Sequence, residues 1–467
     1  MLTFSLFSGM TLLLILEGTA IVTLLLGKES ILRATTLSLP IGALTNVLII
    51  FALTIVGIPL TPLSILLPTI IITITAGFFT WRMPNVTTLK NAQQEATTRK
   101  FSIVIALCSF ILGSTLIYSF AHAVLLPTFQ YDSATNWTMR SKISFLDRYI
   151  AFDPTEDRGM AKPQYPFLFH ALQITVNQGQ KEWGDTSANA ILWLLSLSTF
   201  VALFLVIRSQ RSLLHSLLTI TGILSIPLFS LHLGQGYGDN VLAQYFLLSL
   251  VFLHLTYEEV DRKKKFTLLL LSGIFVSASV WTKSEGTFFG LIPWLLIVAL
   301  TLGRTQETRM LAIRSAGVTL LLSIPWHLFA LTKGLLLTPH GSDTTFAFHP
   351  EALSEVLHGL FDRGSFGIAW YVIIILGVTL IYEHWRKKNQ RIDTTSFPGI
   401  VWGLLVFLEF LVVYLATPNV RFLLNAESFY RQMMIPAGML IMSLGMAIRN
   451  HRIQADHEGL GTTTLKS

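Results

Sequence analysis

The sequence predicts an all-α protein, a polytopic bundle of about 13 transmembrane helices. Three observations predict this fold class. Of the 467 residues, 52% are hydrophobic and 13% are charged, whereas an ordinary soluble domain has about 25% charged residues. Long apolar stretches alternate with short charged segments along the whole chain. The basic residues cluster in every second segment, as they do in membrane proteins that keep Lys and Arg on the cytoplasmic side.

Each predicted span is an apolar stretch of about 20 residues, the length that an α-helix needs to cross the hydrocarbon core. The first stretch carries Glu17 in its middle and has no basic segment before it, so we interpret it as a true span and not as a signal peptide. The stretches cover residues 4–27, 37–58, 61–81, 101–127, 187–207, 213–232, 239–257, 266–282, 286–303, 310–332, 366–385, 397–417 and 430–448.

The distribution of Lys and Arg predicts an N-terminus outside the cell and a C-terminus in the cytoplasm. In this orientation the short basic clusters, such as Arg262–Lys265 and Arg386–Lys388, all lie on the cytoplasmic side. The formal net charge of +7 then faces anionic lipid, and no nucleic-acid partner is expected. We therefore expect an integral membrane protein.

Three units are expected along the chain. Residues 1–100 form an N-terminal three-span extension with a cytoplasmic linker, residues 101–332 form a central membrane module, and residues 333–467 contain a second external loop, the last spans and a short cytoplasmic tail. The first external loop, residues 128–186, is too long for a simple connector and is expected to be structured.

An amphipathic surface helix is predicted within that first loop. Four apolar side chains recur at a helical spacing and would therefore lie on one face of a helix: Met139, Ile143, Leu146 and Ile150. The polar residues Arg140 and Ser144 are expected to point away from that face. Such a helix is expected to lie along the membrane surface.

Polar residues gather at the external ends of the predicted spans. An ionisable group close to hydrocarbon is tolerated mainly where it functions or is paired. The segments that carry such groups are Tyr131–Ser133, Lys162–Pro166, Gly236–Asp239, Trp281–Gly286 and Arg421–Arg431. Because all of them lie on one predicted face, we expect a single external site.

The residue types in this set favour a particular chemistry. A carboxylate such as Asp132 can act as a general base on a hydroxyl, and Lys or Arg can stabilise the charge on a departing phosphate. One external Asp with several cations therefore fits the transfer of a group from a lipid phosphate to an acceptor hydroxyl. The external face lacks Asp-x-Asp, His-x-x-x-His and Cys pairs, so no metal site or cofactor is predicted, and metal assistance stays an open alternative.

The order of these segments resembles the GT-C superfamily of membrane glycosyltransferases, such as aminoarabinose transferase and the protein mannosyltransferases. The resemblance covers about residues 101–300 and 420–445. It implies a polyprenyl-phosphate sugar as the donor, with a glycan, a lipid or a protein as the acceptor. The expected function is therefore that of a membrane glycosyltransferase, and the resemblance also implies a prokaryotic cytoplasmic membrane with the active site on its external face.

On that resemblance, Asp132 takes the place of the catalytic acidic residue in the family's first external loop. Lys162, in Lys-Pro-Gln-Tyr-Pro, is similar to the lysine near the donor phosphate, and the resemblance implies the same role for Lys283 and Arg431. Binding of the sugar or the acceptor is expected of Trp137, Tyr165, Tyr237, Asp239 and Glu285. Many members carry an Asp-Glu pair where this chain has Asp132 followed by Ser133, so Asp239 or Glu285 would supply a second carboxylate.

Several of these residues have a purely structural alternative. Asp132 and Asp239 would also serve as helix caps. Lys283 and Glu285 would form an exposed ion pair in a tight turn, which contributes little to stability. Arg431 would be an interfacial anchor whose head group reaches the lipid phosphates.

Alternatives also exist for the aromatic residues and for the whole protein. Tyr165 and Trp137 would belong to an interfacial aromatic belt. A transporter or flippase of lipid-linked sugars would instead depend on Glu17 and Glu409, which lie inside predicted spans. A lipid-linked glycan polymerase or ligase would share the donor chemistry and differ mainly in donor size.

Overall fold

The computed structural model describes residues 2–27, 31–82, 103–152, 164–303, 305–335, 345–362, 364–386, 397–425 and 428–448. Within these ranges the chain is helical and contains no β-strand. The first helices are α1 (Leu2–Leu26), α2 (Ile31–Val56), α3 (Pro62–Arg82) and α4 (Ile103–Leu125). The first external loop contributes α5 (Thr138–Asp147), which continues a π-helical turn at Ser133–Trp137, and α6 (Leu168–Asn177).

The rest of the bundle follows in chain order. Its first part consists of α7 (Asp185–Arg208), α8 (Leu213–Leu224), α9 (Pro227–Leu231), α10 (Gly238–Glu258), α11 (Arg262–Thr282), α12 (Ile292–Leu302) and α13 (Gln306–Thr332). The second part consists of α14 (Leu353–Leu357), α15 (Ala369–Arg386), α16 (Phe397–Leu415), α17 (Val420–Leu424) and α18 (Ser428–Ala447). A π-helical turn at Gly286–Leu291 leads into α12.

Each of the predicted apolar stretches overlaps one of these helices. Within the described ranges, nine helices are long and apolar enough to cross a membrane, and the chain is an integral membrane protein. The shorter apolar helices are Leu213–Leu224, Gly286–Leu302 and Ala369–Tyr382. The total number of crossings and the outside position of the N-terminus stay predictions.

The helix α10 lies at the centre of the bundle and packs against α7, α11 and α18. Small residues allow the neighbouring helices to approach closely, as is typical of helix packing in membranes. On α11, a Cβ atom added to Gly273 would lie 2.0 Å from Oγ1 of Thr319 on α13. Ser249 of α10 donates to the Ser272 carbonyl of α11 at 2.9 Å. This packing brings the start of α10 and the end of α11 together at one end of the bundle.

The N-terminal helices pack directly on this bundle. The backbones of α1 and α2 approach so closely that a Cβ atom on Gly18 would lie 1.9 Å from the carbonyl oxygen of Ser38. From α10, the Tyr245 hydroxyl donates to the carbonyl oxygen of Pro40 in α2 at 3.0 Å. The division of the chain after residues 100 and 332 stays a prediction.

The first external loop contains the predicted helix, but its buried face differs from the expected one. Arg140 is 1% exposed and Ser144 is fully buried, whereas Leu146 is 63% exposed. The helix α5 packs on α6, which the apolar periodicity did not indicate. Every residue of α6 is buried. A helix enclosed on all sides has no face in contact with solvent, so its polar side chains are buried together with its apolar ones.

Candidate active site

Asp132 and Arg431 form an ion pair at one end of the bundle. Asp132 directly precedes the π-helical turn Ser133–Trp137, and Arg431 lies in the first turn of α18. Arg431 Nη1 donates to Asp132 Oδ2 at 2.5 Å, and Asn136 Nδ2 donates to Asp132 Oδ1. Because the Asp132 side chain accepts no backbone capping hydrogen bond, the simple N-cap interpretation is wrong.

Lys283 lies between two carboxylates. It follows α11 directly in an extended conformation, and its Nζ atom lies 2.8 Å from Asp239 Oδ1 and 2.7 Å from Glu285 Oε1. Lys283 is 4% exposed and Asp239 is 2% exposed. Burial by itself lowers the pKa of Lys283, but the two carboxylates outweigh it and hold the pKa well above its ordinary value. The ion pair between Lys283 and Glu285 is therefore present, as the structural alternative predicted, but it is buried and not exposed.

Asp239 lies in the first turn of α10, where a carboxylate favours the helix end. The N-cap position of α10 is Tyr237 and not Asp239, whose side chain accepts a hydrogen bond from Lys283. The cap interpretation is thus incomplete for Asp239. The residue fixes the position of a buried cation.

Gln432 links the two groups of charges. Its Nε2 atom donates to Glu285 Oε1 at 3.2 Å, and its neighbour along the chain is Arg431. The Tyr414 hydroxyl donates to Gln432 Oε1 at 2.7 Å. Sequence reasoning assigned no role to Gln432 or Tyr414. The signal was an amide in an otherwise apolar stretch, directly beside a predicted site residue.

Aromatic rings cover the buried cation. The rings of Trp137 and Tyr165 stack with centroids 5.0 Å apart, and Trp137 also stacks on His170 at 5.7 Å. Lys283 Nζ lies 5.5 Å from the centroid of the Tyr165 ring and 6.0 Å from that of Trp137. Burial raises the pKa of Tyr165 above its ordinary value, so its hydroxyl is neutral. Both rings are buried, and the interpretation as an interfacial belt is wrong.

The Tyr237 ring, just before α10, packs against the Arg431 side chain. Arg431 Cζ lies 4.6 Å from the centroid of the Tyr237 ring, a cation–π distance. The neighbouring Gly236 has φ +75° and its carbonyl oxygen accepts from Ser133 Oγ at 3.0 Å. A Cβ atom on Gly238 would lie 2.5 Å from the Trp137 ring. Glycine at these positions lets the start of α10 approach the segment that carries Asp132.

Arg140 is buried, and among the described residues its hydrogen-bond acceptors are backbone carbonyls. Its Nε atom donates to the Ala151 carbonyl at 3.0 Å and its Nη1 atom to the Tyr165 carbonyl at 2.6 Å. The guanidinium therefore fixes the backbone of Tyr165 next to Trp137. Lys162, the remaining predicted phosphate ligand, lies outside the described residues.

The described residues thus bring together eight of the nine predicted site residues: Asp132, Trp137, Tyr165, Tyr237, Asp239, Lys283, Glu285 and Arg431. Within the described ranges, no group of three or more His, Cys, Asp or Glu side chains is placed to hold a metal ion. The arrangement offers a partly exposed carboxylate, Asp132, paired with Arg431, and behind them the buried Lys283 between two further carboxylates. Such a site can bind a phosphate and accept a proton.

Comparisons with known proteins identify the fold. No protein-family model matches the chain, and no curated protein matches its sequence. The structure is similar to that of ArnT from Cupriavidus metallidurans in the apo state, with a TM-score of 0.53 and 13% identity over 76% of this chain and 62% of that chain. It is also similar to the same ArnT bound to undecaprenyl phosphate, with a TM-score of 0.52 and 15% identity over 76% of this chain and 63% of that chain.

ArnT is an aminoarabinose transferase, a GT-C glycosyltransferase, so the resemblance read from the sequence is confirmed at the level of the fold. This chain spans less than two thirds of the length of the ArnT structures, 62% and 63%. At 13% and 15% identity, the similarity concerns the fold alone.

Proposed function

We propose that this protein is a membrane glycosyltransferase that moves a sugar from a polyprenyl-phosphate donor to a hydroxyl of a glycan, lipid or protein acceptor. One observation carries the proposal: a partly exposed Asp132 contacts Arg431, beside the buried Lys283 with its two carboxylates. The fold adds support, since it is similar to that of an ArnT structure bound to undecaprenyl phosphate. We expect polyprenyl-phosphate sugars to bind at the end of the bundle that carries Asp132 and Arg431.

In the proposed reaction, Asp132 takes the proton of the acceptor hydroxyl as that oxygen attacks the anomeric carbon of the donor sugar. The bond between the anomeric carbon and the phosphate oxygen breaks, and its electron pair stays on the phosphate. The attack comes from the face opposite the phosphate and inverts the anomeric centre. Products are the glycosylated acceptor and the polyprenyl phosphate.

The cations stabilise the charge that develops on the phosphate. Arg431 has a side chain that is 16% exposed, next to Asp132 with 28%, so both lie where a substrate can reach them. Lys283 lies deeper, and its positive charge offsets part of the negative charge that Asp239 and Glu285 place near the phosphate. We assign the same phosphate-binding role to Lys162. Tyr165, Tyr237, Trp137, Asp239 and Glu285 would surround the sugar or hold the cations.

We propose the external face of a prokaryotic cytoplasmic membrane as the location of this site. A cysteine-accessibility experiment tests the face, with the buried Cys108 first replaced by Ser. A membrane-impermeant maleimide applied to intact cells should label Lys181→Cys, from the first external loop. It should not label Lys263→Cys, at the other end of the bundle. Labelling of only the second variant would reverse the orientation.

Native mass spectrometry of the purified protein tests the donor class. The ligands are undecaprenyl phosphate and its glucose, mannose and aminoarabinose derivatives. The wild type is expected to bind at least one sugar-bearing lipid, Lys162→Ala and Arg431→Gln are expected to bind it more weakly, and Asp132→Asn is expected to retain it. Binding that is unchanged in Lys162→Ala and Arg431→Gln would refute the site.

The transporter alternative is tested by the same experiment combined with a transfer assay. Glu17 is buried in α1 and neither of its carboxylate oxygens has a hydrogen-bond partner. A glycosyltransferase with its site at Asp132 should tolerate Glu17→Gln and Glu409→Gln in both binding and transfer. Loss of function in these two variants, with Asp132→Asn fully active, would favour a transporter.

A further inference from the structure

The turn that leads into α10 and the first turn of α10 carry three buried polar side chains whose hydrogen bonds are incomplete. His232 is 6% exposed, Gln235 is 3% exposed and Asn240 is 2% exposed. In each of them one atom has no hydrogen-bond partner among the described residues: Nδ1 of His232, Oε1 of Gln235 and Oδ1 of Asn240. A buried polar atom without a partner costs about 1–3 kcal/mol. Three such atoms, two on the turn and one at the start of α10, indicate that something else completes them.

The three side chains belong to one structural unit. The Asn240 Nδ2 atom and the Gln235 backbone amide both donate to the carbonyl oxygen of His232, at 3.0 Å and 3.5 Å. The Gln235 Nε2 atom donates to His122 Nε2 at 3.1 Å. The amide nitrogens are therefore used within the protein, whereas the amide oxygens are not.

This turn is continuous with the proposed active site. The rings of His232 and Tyr237 meet edge to face with centroids 4.6 Å apart, and Arg431 lies 4.6 Å from the same Tyr237 ring. On the other side, the Gly236 carbonyl accepts from Ser133, the residue after Asp132. A molecule held by Asp132 and Arg431 would lie next to the turn.

We propose that His232, Gln235 and Asn240 form a subsite that binds hydroxyl groups of the donor sugar. Two unpartnered amide oxygens accept hydrogen bonds, so their natural ligands are O–H donors. The inference rests on the proposed function, in which Arg431 holds the donor phosphate. What is attached to that phosphate is a sugar on one side and a polyprenyl chain on the other, and only the sugar can donate to amide oxygens. The turn therefore selects the sugar.

The test compares the binding of two lipids that differ only in the sugar. The first is undecaprenyl phosphate, and the second is its glucose, mannose or aminoarabinose derivative, whichever the wild type binds. Gln235→Met replaces the amide by an apolar side chain of similar length, and His232→Phe retains the ring. Both variants should bind the sugar-bearing lipid about 3- to 10-fold more weakly, the equivalent of one neutral hydrogen bond. Their affinity for undecaprenyl phosphate should equal that of the wild type, which also shows that they are folded.

Gln244→Met is the matched control. Gln244 is a buried glutamine of α10 that donates to Ser196 Oγ at 2.7 Å, and its Oε1 atom is also unpartnered. It lies further along α10, away from Tyr237, and its replacement should leave both affinities unchanged.

Two results overturn the subsite. If Gln235→Met and His232→Phe bind both lipids as the wild type does, or lose both equally, the turn does not recognise the sugar and water completes its polar atoms. If the wild type binds undecaprenyl phosphate but no sugar-bearing lipid, the donor sugar has no site here. A wild type that binds neither lipid refutes the proposed function itself, which is a different outcome from a defect confined to the variants.

Discussion

Arg431 Nη1 lies 2.5 Å from Asp132 Oδ2, although 299 residues separate the two positions along the chain. The pair joins the first external loop to the start of α18. Asn136, one helical turn after Asp132, donates to the second carboxylate oxygen. The carboxylate is thus held in one orientation, with one oxygen on Asn136 and the other on Arg431, a cation that can also bind phosphate. The first prediction follows from this arrangement.

Replacing Asp132 by Asn should abolish sugar transfer and retain donor binding. The amide has nearly the same shape but cannot take a proton, and loss of a general base lowers the rate by about 10²–10⁴-fold. The measurement is the transfer rate together with donor affinity from native mass spectrometry.

Asp185→Asn is the control for this prediction. Asp185, at the start of α7, accepts from Trp183 Nε1 at 2.7 Å and lies outside the proposed site. Its replacement should change the rate little. Full turnover by Asp132→Asn would refute the assignment of the base.

The two carboxylates around Lys283 should differ in their effect on stability. Removing one partner of a buried ion pair costs about 3–5 kcal/mol. The Asp239 side chain is 3% exposed and that of Glu285 is 15% exposed, so water can replace the second more easily. Asp239→Asn should therefore lower the melting temperature in detergent more than Glu285→Gln does. The reverse order would show that Glu285 is the main partner of Lys283.

The stability of the first external loop should fall at acidic pH through His170. Burial, together with the nearby Arg140, holds the pKa of folded His170 well below its ordinary value of 6.5. The unfolded chain then binds a proton that the folded chain does not. Stability from this residue is complete above the ordinary pKa and is lost as the pH falls below it, by about 1.4 kcal/mol at one pH unit below.

The measurement for His170 is the melting temperature of the wild type and of His170→Gln at pH 7.5 and pH 5.5. The variant lacks the titrating ring and should lose less stability between the two pH values, even if it is less stable at both. Equal losses in both proteins would show that His170 does not titrate on unfolding.

Gly238→Ala should damage the site through sterics. An added Cβ atom would lie 2.5 Å from the Trp137 ring, which is buried and stacked on both Tyr165 and His170. Overpacking of this kind costs about 1–3 kcal/mol, and it would displace Trp137 from Lys283. We expect a lower melting temperature and weaker donor binding.

Gly317→Ala is the matched control, because a Cβ atom there meets nothing within 4 Å. In the middle of α13 this change should be neutral or stabilising, since alanine has a higher helix propensity than glycine. If Gly238→Ala behaves like Gly317→Ala, the close approach of α10 to Trp137 does not matter for the site.

Much of the candidate site was accessible from the sequence, for a physical reason. Ionisable residues near hydrocarbon are costly, so their presence at span ends marks Asp132, Lys283 and Arg431 as functional or paired. Which residue pairs with which was not accessible. Lys283 has Glu285 two positions away, but its other partner, Asp239, is 44 residues distant. Gln432 acquires its role only from the helix packing that brings Glu285 within 3.2 Å.

Arg140 shows the limit of local patterns most clearly. Helical periodicity placed it on a polar face, yet it is buried and donates to the carbonyls of Ala151 and Tyr165. The cost of desolvating a guanidinium is offset only when acceptors converge on it from elsewhere in the chain. Periodicity contains no information about those acceptors.

The sequence by itself determined that this protein is a helical membrane protein, where its long apolar helices lie, and which polar residues stand at their ends. Hydropathy and helix length are local properties, and the thickness of the bilayer converts them directly into spans. Only the tertiary structure decided that Asp132 meets Arg431, that Lys283 is buried between two carboxylates, and that α6 is enclosed in the bundle. These facts depend on close packing between helices distant in the chain, because a buried charge is stable only where its partners are brought to it.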